Sequence, residues 1–182
     1  MGYNSWHMKI ENARHARLFL AALVPALLAV AGPALAGDTF LKGGVILHPR
    51  DVGFEGRWRA AFGSDYPVNF SETLFAGFEV QTSIYRQDIT ASGPTATVVP
   101  INGFANIKYK SGSLGARPFA GAGLGLVSNL SFVSNETDWA NDIGYHFLGG
   151  VEIGHLTLEL QVQGAFESDA DTEFAAYVGF VW

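Results

Sequence analysis

The chain has 182 residues, the length of one domain. Charged residues make up 15% of it, against roughly 25% in ordinary soluble domains, while the hydrophobic share is an ordinary 48%. The deficit is therefore in surface charge. A net charge of −6 argues against a nucleic-acid partner, and the absence of Cys excludes disulfide and thiolate chemistry.

Arg14, His15 and Arg17 precede an apolar run from Leu18 to Gly32, and Ala34-Leu35-Ala36 follows Pro33. A basic start, an apolar stretch and an A-x-A ending form the pattern of a secretory signal peptide. The run is shorter than the roughly 20 residues a spanning helix needs. Residues 1–36 are read as a signal peptide with Ala34 and Ala36 at the cleavage site, leaving 37–182 as one domain. Met8 offers an alternative start that makes residues 1–7 dispensable.

The rest of the chain reads as strand-like stretches bounded by turn residues. The first covers 39–47. The second, 52–62, sets Phe54, Trp58, Ala60 and Phe62 against Glu55, Arg57 and Arg59, and a linker at 63–70 follows. The third, 72–87, alternates Leu74, Ala76, Phe78, Val80 and Ile84 with Gly77, Glu79, Gln81 and Ser83. The fourth, 95–109, sets Ile101, Ala105, Ile107 and Tyr109 against Asn102, Asn106 and Lys108; Pro100 inside it demands a bulge or a strand end. In the fifth, 116–130, Gly121, Gly123 and Gly125 share one face. The sixth, 139–153, alternates Ile143, Tyr145, Phe147 and Val151 with His146 and Glu152. The seventh, 156–166, sets Leu156, Leu158, Leu160 and Val162 against Thr157, Glu159, Gln161 and Gln163. The eighth, 174–182, sets Phe174, Ala176, Val178, Phe180 and Trp182 against Ala175, Tyr177, Gly179 and Val181. Eight consecutive strands with hairpin-length links predict an all-β, antiparallel up-and-down barrel.

Eight strands also build soluble ligand-binding barrels, so the sign of the alternation decides the class. The polar rows are Gly-rich and mixed in sign, as a tight interior requires. The apolar rows end in aromatics (Phe62, Tyr66, Phe70, Tyr85, Tyr109, Phe132, Trp139, Phe166 and Trp182) suited to two interfacial girdles. With the signal pattern, these features predict a transmembrane barrel with its apolar rows in lipid.

At this point the sequence resembles the small eight-stranded outer-membrane β-barrel family, of the outer-membrane protein A and X type, over residues 37–182. The carriers are Ala34-Leu35-Ala36, the segment Arg117-Pro118-Phe119-Ala120-Gly121-Ala122-Gly123-Leu124-Gly125, and the alternating last strand. The resemblance implies residence in the outer membrane of a Gram-negative bacterium, among outer-membrane lipids and lipopolysaccharide. It also implies recognition by the barrel-assembly machinery through Tyr177, Phe180 and Trp182, with Trp182 in the place of the usual Phe.

Three kinds of chemistry are weighed. Glu79, Glu152 and Glu159 with Arg57, Arg59 and Lys108 are expected to form an inward ion-pair network with Glu55, Gln81, His146 and Gln161, which either plugs the barrel or gates a narrow conductance. Outer-membrane lipid A deacylases share the architecture and use a His-x-Ser pair, but neither His146 nor His155 has Ser two residues on, so no catalytic residue is assigned. Carboxylates at Glu136, Asp138 and Asp142, in a loop placed at 129–138 and just after it, and at Glu167, Asp169, Asp171 and Glu173 offer at most a divalent-cation surface, without the spacing of a calcium loop. No cofactor is expected. The functions left open are a structural or surface-interaction protein, a narrow pore or route for small hydrophobic molecules, a lipid-modifying enzyme, and a soluble ligand-binding barrel.

Overall fold

The computed structural model describes residues 37–47, 57–69, 71–88, 95–112, 115–133, 136–166 and 172–182. The signal peptide with Ala34 and Ala36, and Glu55, Phe54 and Phe70, lie outside the described residues. The strands are β1 (Asp38–Leu47), β2 (Arg57–Pro67), β3 (Leu74–Ser83), β4 (Tyr85–Asp88), β5 (Thr95–Lys110), β6 (Arg117–Val133), β7 (Glu136–Ile153), β8 (Leu156–Ala165) and β9 (Glu173–Val181). They form one antiparallel sheet in which each strand pairs with the next in the chain, with two exceptions that together close it. β3 bypasses β4 to pair with β5, and β1 pairs with β9 from Phe40↔Val181 to Leu47↔Phe174. Thr39 and Trp182 extend this seam with two reciprocal backbone bonds of 2.9 Å.

Nine segments make eight barrel strands, because β4 continues β3. Both pair with β5 in one register, Thr82↔Ile101 on one side of the break and Tyr85↔Val98 on the other. The positions skipped are Ser83 and Ile84, opposite Pro100 and Val99. Pro100 has no N–H to donate, so the ladder lapses there while Pro100↔Asn129 persists on the β6 side. The strand end that Pro100 demands is thus found in its neighbour.

Two expected loops are strand. The linker at 63–70 is β2 as far as Pro67, because Gly63 is a lumen position: a Cβ there would meet Phe78 O and the Phe40 ring. The loop placed at 129–138 is the paired end of a long hairpin, Val133↔Glu136 to Asn129↔Ala140, so Glu136 and Asp138 lie in β7. Its Ser and Asn residues read as turn chemistry but are accommodated in the ladder.

One row of each strand is buried and the other exposed. Leu41, Trp58, Ile107, Leu124, Phe147, Leu160, Val178 and Phe180 face outward, with Leu160 68% exposed. Lys42, Arg59, Glu79, Asn102, His146 and Gln161 face inward, with Glu79 fully buried. A soluble barrel would carry the opposite sign, since charges are not sequestered while Leu and Phe face water. Tyr66, Tyr109 and Trp182 stand exposed at the end that holds the chain's shorter turns, and Trp58, Trp139 and Phe166 at the other. At the short-turn end, Gly154 (φ 60) opens the two-residue link between β7 and β8.

Candidate functional site in the barrel interior

The lumen is filled by three linked clusters. At its centre Lys42, on β1, donates from Nζ to Glu79 Oε2 (2.8 Å) and Glu159 Oε1 (2.6 Å). Glu79 Oε1 also accepts from Gln81 Nε2 (2.7 Å) and Gln161 Nε2 (2.9 Å), which ties β3 to β8 across the lumen. The Lys42 ammonium lies 4.7 Å from the Phe40 ring centre and 5.1 Å from that of Tyr177. Every polar atom so engaged compensates for lost water, without which a buried charge costs several kcal/mol.

Toward the longer-loop end, Arg59 Nη2 donates to Glu173 Oε2 (2.6 Å), which also accepts from Gln163 Nε2 (2.8 Å). The Arg57 guanidinium stacks 4.0 Å from the Tyr85 ring centre. Toward the short-turn end, Lys110 Nζ reaches Asp38 Oδ2 (2.8 Å), Glu152 Oε1 (2.8 Å) and Asp65 Oδ2 (3.1 Å). Lys108 also pairs with Asp65 (3.1 Å), and Arg117 with Asp38 (3.2 Å). Phe40 joins the central and lower clusters, since the Lys108 ammonium lies 4.3 Å from its ring centre as well. A cavity lined by Phe40, Lys42, Asp65, Lys108 and Glu159 measures about 10 Å³. That is at the threshold for a single water.

The glycine face of β6 makes this filling possible. A Cβ at Gly123 would meet Asn106 Oδ1 and His146 Nε2, and one at Gly121 would sit 2.9 Å from Lys108 Cγ. In that space the Nε2–H of His146 donates to Asn106 Oδ1 (2.7 Å), and its ring stacks on Phe104 at 4.2 Å. His155 lies apart, in the β7–β8 turn, bonded through Nδ1 to Val181 O (3.0 Å).

Of the expected network, Arg59, Glu79, Gln81, Lys108, His146, Glu152, Glu159 and Gln161 all lie in the lumen. The partners differ from the expected ones. Glu79 and Glu159 share Lys42, Glu152 holds Lys110, Lys108 holds Asp65, and Arg59 holds Glu173. Lys42, Lys110, Asp38 and Asp65 were not singled out by sequence reasoning. Lys42 had a signal, the alternation Phe40-x-Lys42 against Leu41 and Gly43, but in a first strand whose faces were left unassigned. Glu173 is an inward residue at the start of β9, while Glu167, Asp169 and Asp171 lie outside the described residues. Among the described residues no group of three His, Cys, Asp or Glu could hold a metal ion. Tyr177 points into the lumen, whereas Phe180 and Trp182 are each 61% exposed on the outer face.

Closed strand order, outward apolar rows and an ion-paired interior define an eight-stranded transmembrane β-barrel. Solved structures carry the same fold. The attachment invasion locus protein Ail of Yersinia pestis, solved in complex with the heparin analogue sucrose octasulfate, matches with a TM-score of 0.53 at 6% identity, over 81% of this chain and 100% of that one. Neisserial surface protein A matches at 0.52 and 14% identity over 80% and 93%. The outer membrane enzyme PagL matches at 0.50 and 10% identity over 79% and 97%. The chain thus resembles the small eight-stranded outer-membrane barrels of Gram-negative bacteria, and at these identities the likeness is one of fold. No family model and no curated protein matches the sequence.

Proposed function

We propose that this protein is a plugged outer-membrane barrel whose role is structural or surface interaction, exercised through the loops at its longer-loop end. The observation that carries this reading is the lumen. Its charges are paired from Glu173 at one end to Asp38 at the other, and the central cavity is no larger than about one water. A surface role is in keeping with two proteins of similar fold, one an attachment protein and one a surface protein. The His-x-Ser pair of a lipid A deacylase is missing, and His146 is occupied by Asn106 and Phe104.

In this reading residues 1–36 export the chain and are removed after Ala36, and the barrel sits among outer-membrane lipids and lipopolysaccharide. The barrel-assembly machinery recognises β9 through Tyr177, Phe180 and Trp182. The competing reading, a narrow pore, requires Lys42 to release one of its two glutamates. Single-channel recording of the purified protein in planar bilayers tests the choice. The plugged barrel predicts a flat trace at all voltages, and discrete conductance steps would establish the pore instead.

A further inference from the structure

In an up-and-down barrel every pair of neighbouring strands is joined by a chain connection except the pair at the seam. Here that pair is β1 and β9, held by a ladder of eight register pairs, as many as hold β8 to β9, where a chain connection backs the ladder. Peeling β1 from β9 breaks no covalent bond and opens the barrel sideways, so the seam is the weak line of the fold.

Two ion pairs cross this line from behind. Lys42 on β1 reaches over β9 to Glu159 on β8, and Arg59 on β2 reaches over β1 to Glu173 on β9. Both measure 2.6 Å, shorter than every other ion pair given above. Each needs β1 and β9 side by side, because its two ends belong to strands on opposite sides of the gap. The glycines at the seam fit the same purpose. A Cβ at Gly44 would meet Ala176 O and the Tyr177 ring, and one at Gly179 would meet Leu41 O and crowd Lys42 Cγ. Only a bare backbone lets the two strands approach while Lys42 and Tyr177 occupy the lumen behind them.

We infer that Lys42–Glu159 and Arg59–Glu173 form an electrostatic latch that keeps the β1–β9 seam shut and the barrel closed to lateral opening. The latch is distinct from plugging. Lys110–Glu152 and Lys108–Asp65 fill the lumen equally well but connect strands away from the seam. Charge-assisted bonds of this length are the strong members of their class, and Lys42–Glu159 is also shielded from water.

The test removes the latch and then replaces it with a covalent one. Arg59→Gln with Glu173→Gln abolishes one strap while leaving a neutral lumen. Heat-induced unfolding of the full-length protein in detergent, followed by gel shift, is expected to run about tenfold faster, the loss of one charge-assisted hydrogen bond. A disulfide between Gly43→Cys and Val178→Cys, register partners across the seam on the outer face where Gly43 has open space, should restore the original rate. A disulfide between Gly43→Cys and Ala60→Cys, partners across β1–β2, should not. Should the double variant not fold, Glu173→Asp, which shortens the strap without stranding a charge, carries the same comparison. Equal rescue by both disulfides, rescue by neither, or no acceleration on removing the strap would each overturn the latch.

Discussion

Replacing Lys42 by Met is the most informative single perturbation of the lumen. Met preserves the length of the side chain and its packing between Phe40 and Tyr177 but withdraws the positive charge bonded to both Glu79 and Glu159. Glu79 keeps the amide donors of Gln81 and Gln161, and Glu159 keeps Gln161 (3.1 Å), so hydrogen bonding survives in part. The charges do not: two carboxylates, one fully buried and the other 4% exposed, lose the cation bonded to them. Removing one partner of a buried pair costs about 3–5 kcal/mol. The triple variant Lys42→Met, Glu79→Gln, Glu159→Gln, which removes the stranded charges, should recover most of that loss. Equilibrium unfolding in lipid vesicles by urea, followed by tryptophan fluorescence, measures both. A Lys42→Met barrel within about 1 kcal/mol of the original, or a triple variant no better than the single, would refute the assignment of Lys42 as the charge that organises the lumen.

Other substitutions probe separate parts of the structure. Gly123→Val should destabilise the barrel by about 1–3 kcal/mol, because its side chain meets the Asn106–His146 pair, and adding His146→Ala should relieve part of the loss in the same unfolding assay. Pro100→Val supplies the missing N–H opposite Ser83; hydrogen exchange should show new protection at the β3–β4 break, with stability nearly unchanged because proline's hold on the unfolded chain is lost at the same time. Deleting Trp182 should lower the amount of folded barrel in the outer membrane while leaving translocation across the inner membrane intact, measured by fractionation.

The alternation of apolar and polar residues is enough to read the faces of seven of the eight barrel strands. Glu79, Gln81, His146, Glu159 and Gln161 are legible as inward for that reason. Period-2 patterning fixes which side of the sheet a residue occupies, and the buried face pins the register. It does not reveal which inward charges meet. Lys42 finds Glu79 two strands away in one direction and Glu159 two strands away in the other, distances set by the tilt and stagger of the closed barrel. Local composition misleads at 63–70 and 129–138, where Gly63 serves close packing against Phe40 and the Ser–Asn run still pairs as strand.

Cysteine scanning along β8 from Leu156 to Gln163 tests the central claim most directly, namely an apolar row in lipid and a polar row sealed inside a plug. Single cysteines in the folded barrel would be challenged with a charged, membrane-impermeant thiol reagent and with a lipophilic maleimide. The structure predicts that Leu156, Leu158, Leu160 and Val162 positions react with the lipophilic reagent alone, and that Thr157, Glu159, Gln161 and Gln163 positions react with neither. Ready modification of the Glu159 and Gln161 positions by the charged reagent would reveal a water-filled passage and contradict the plugged barrel.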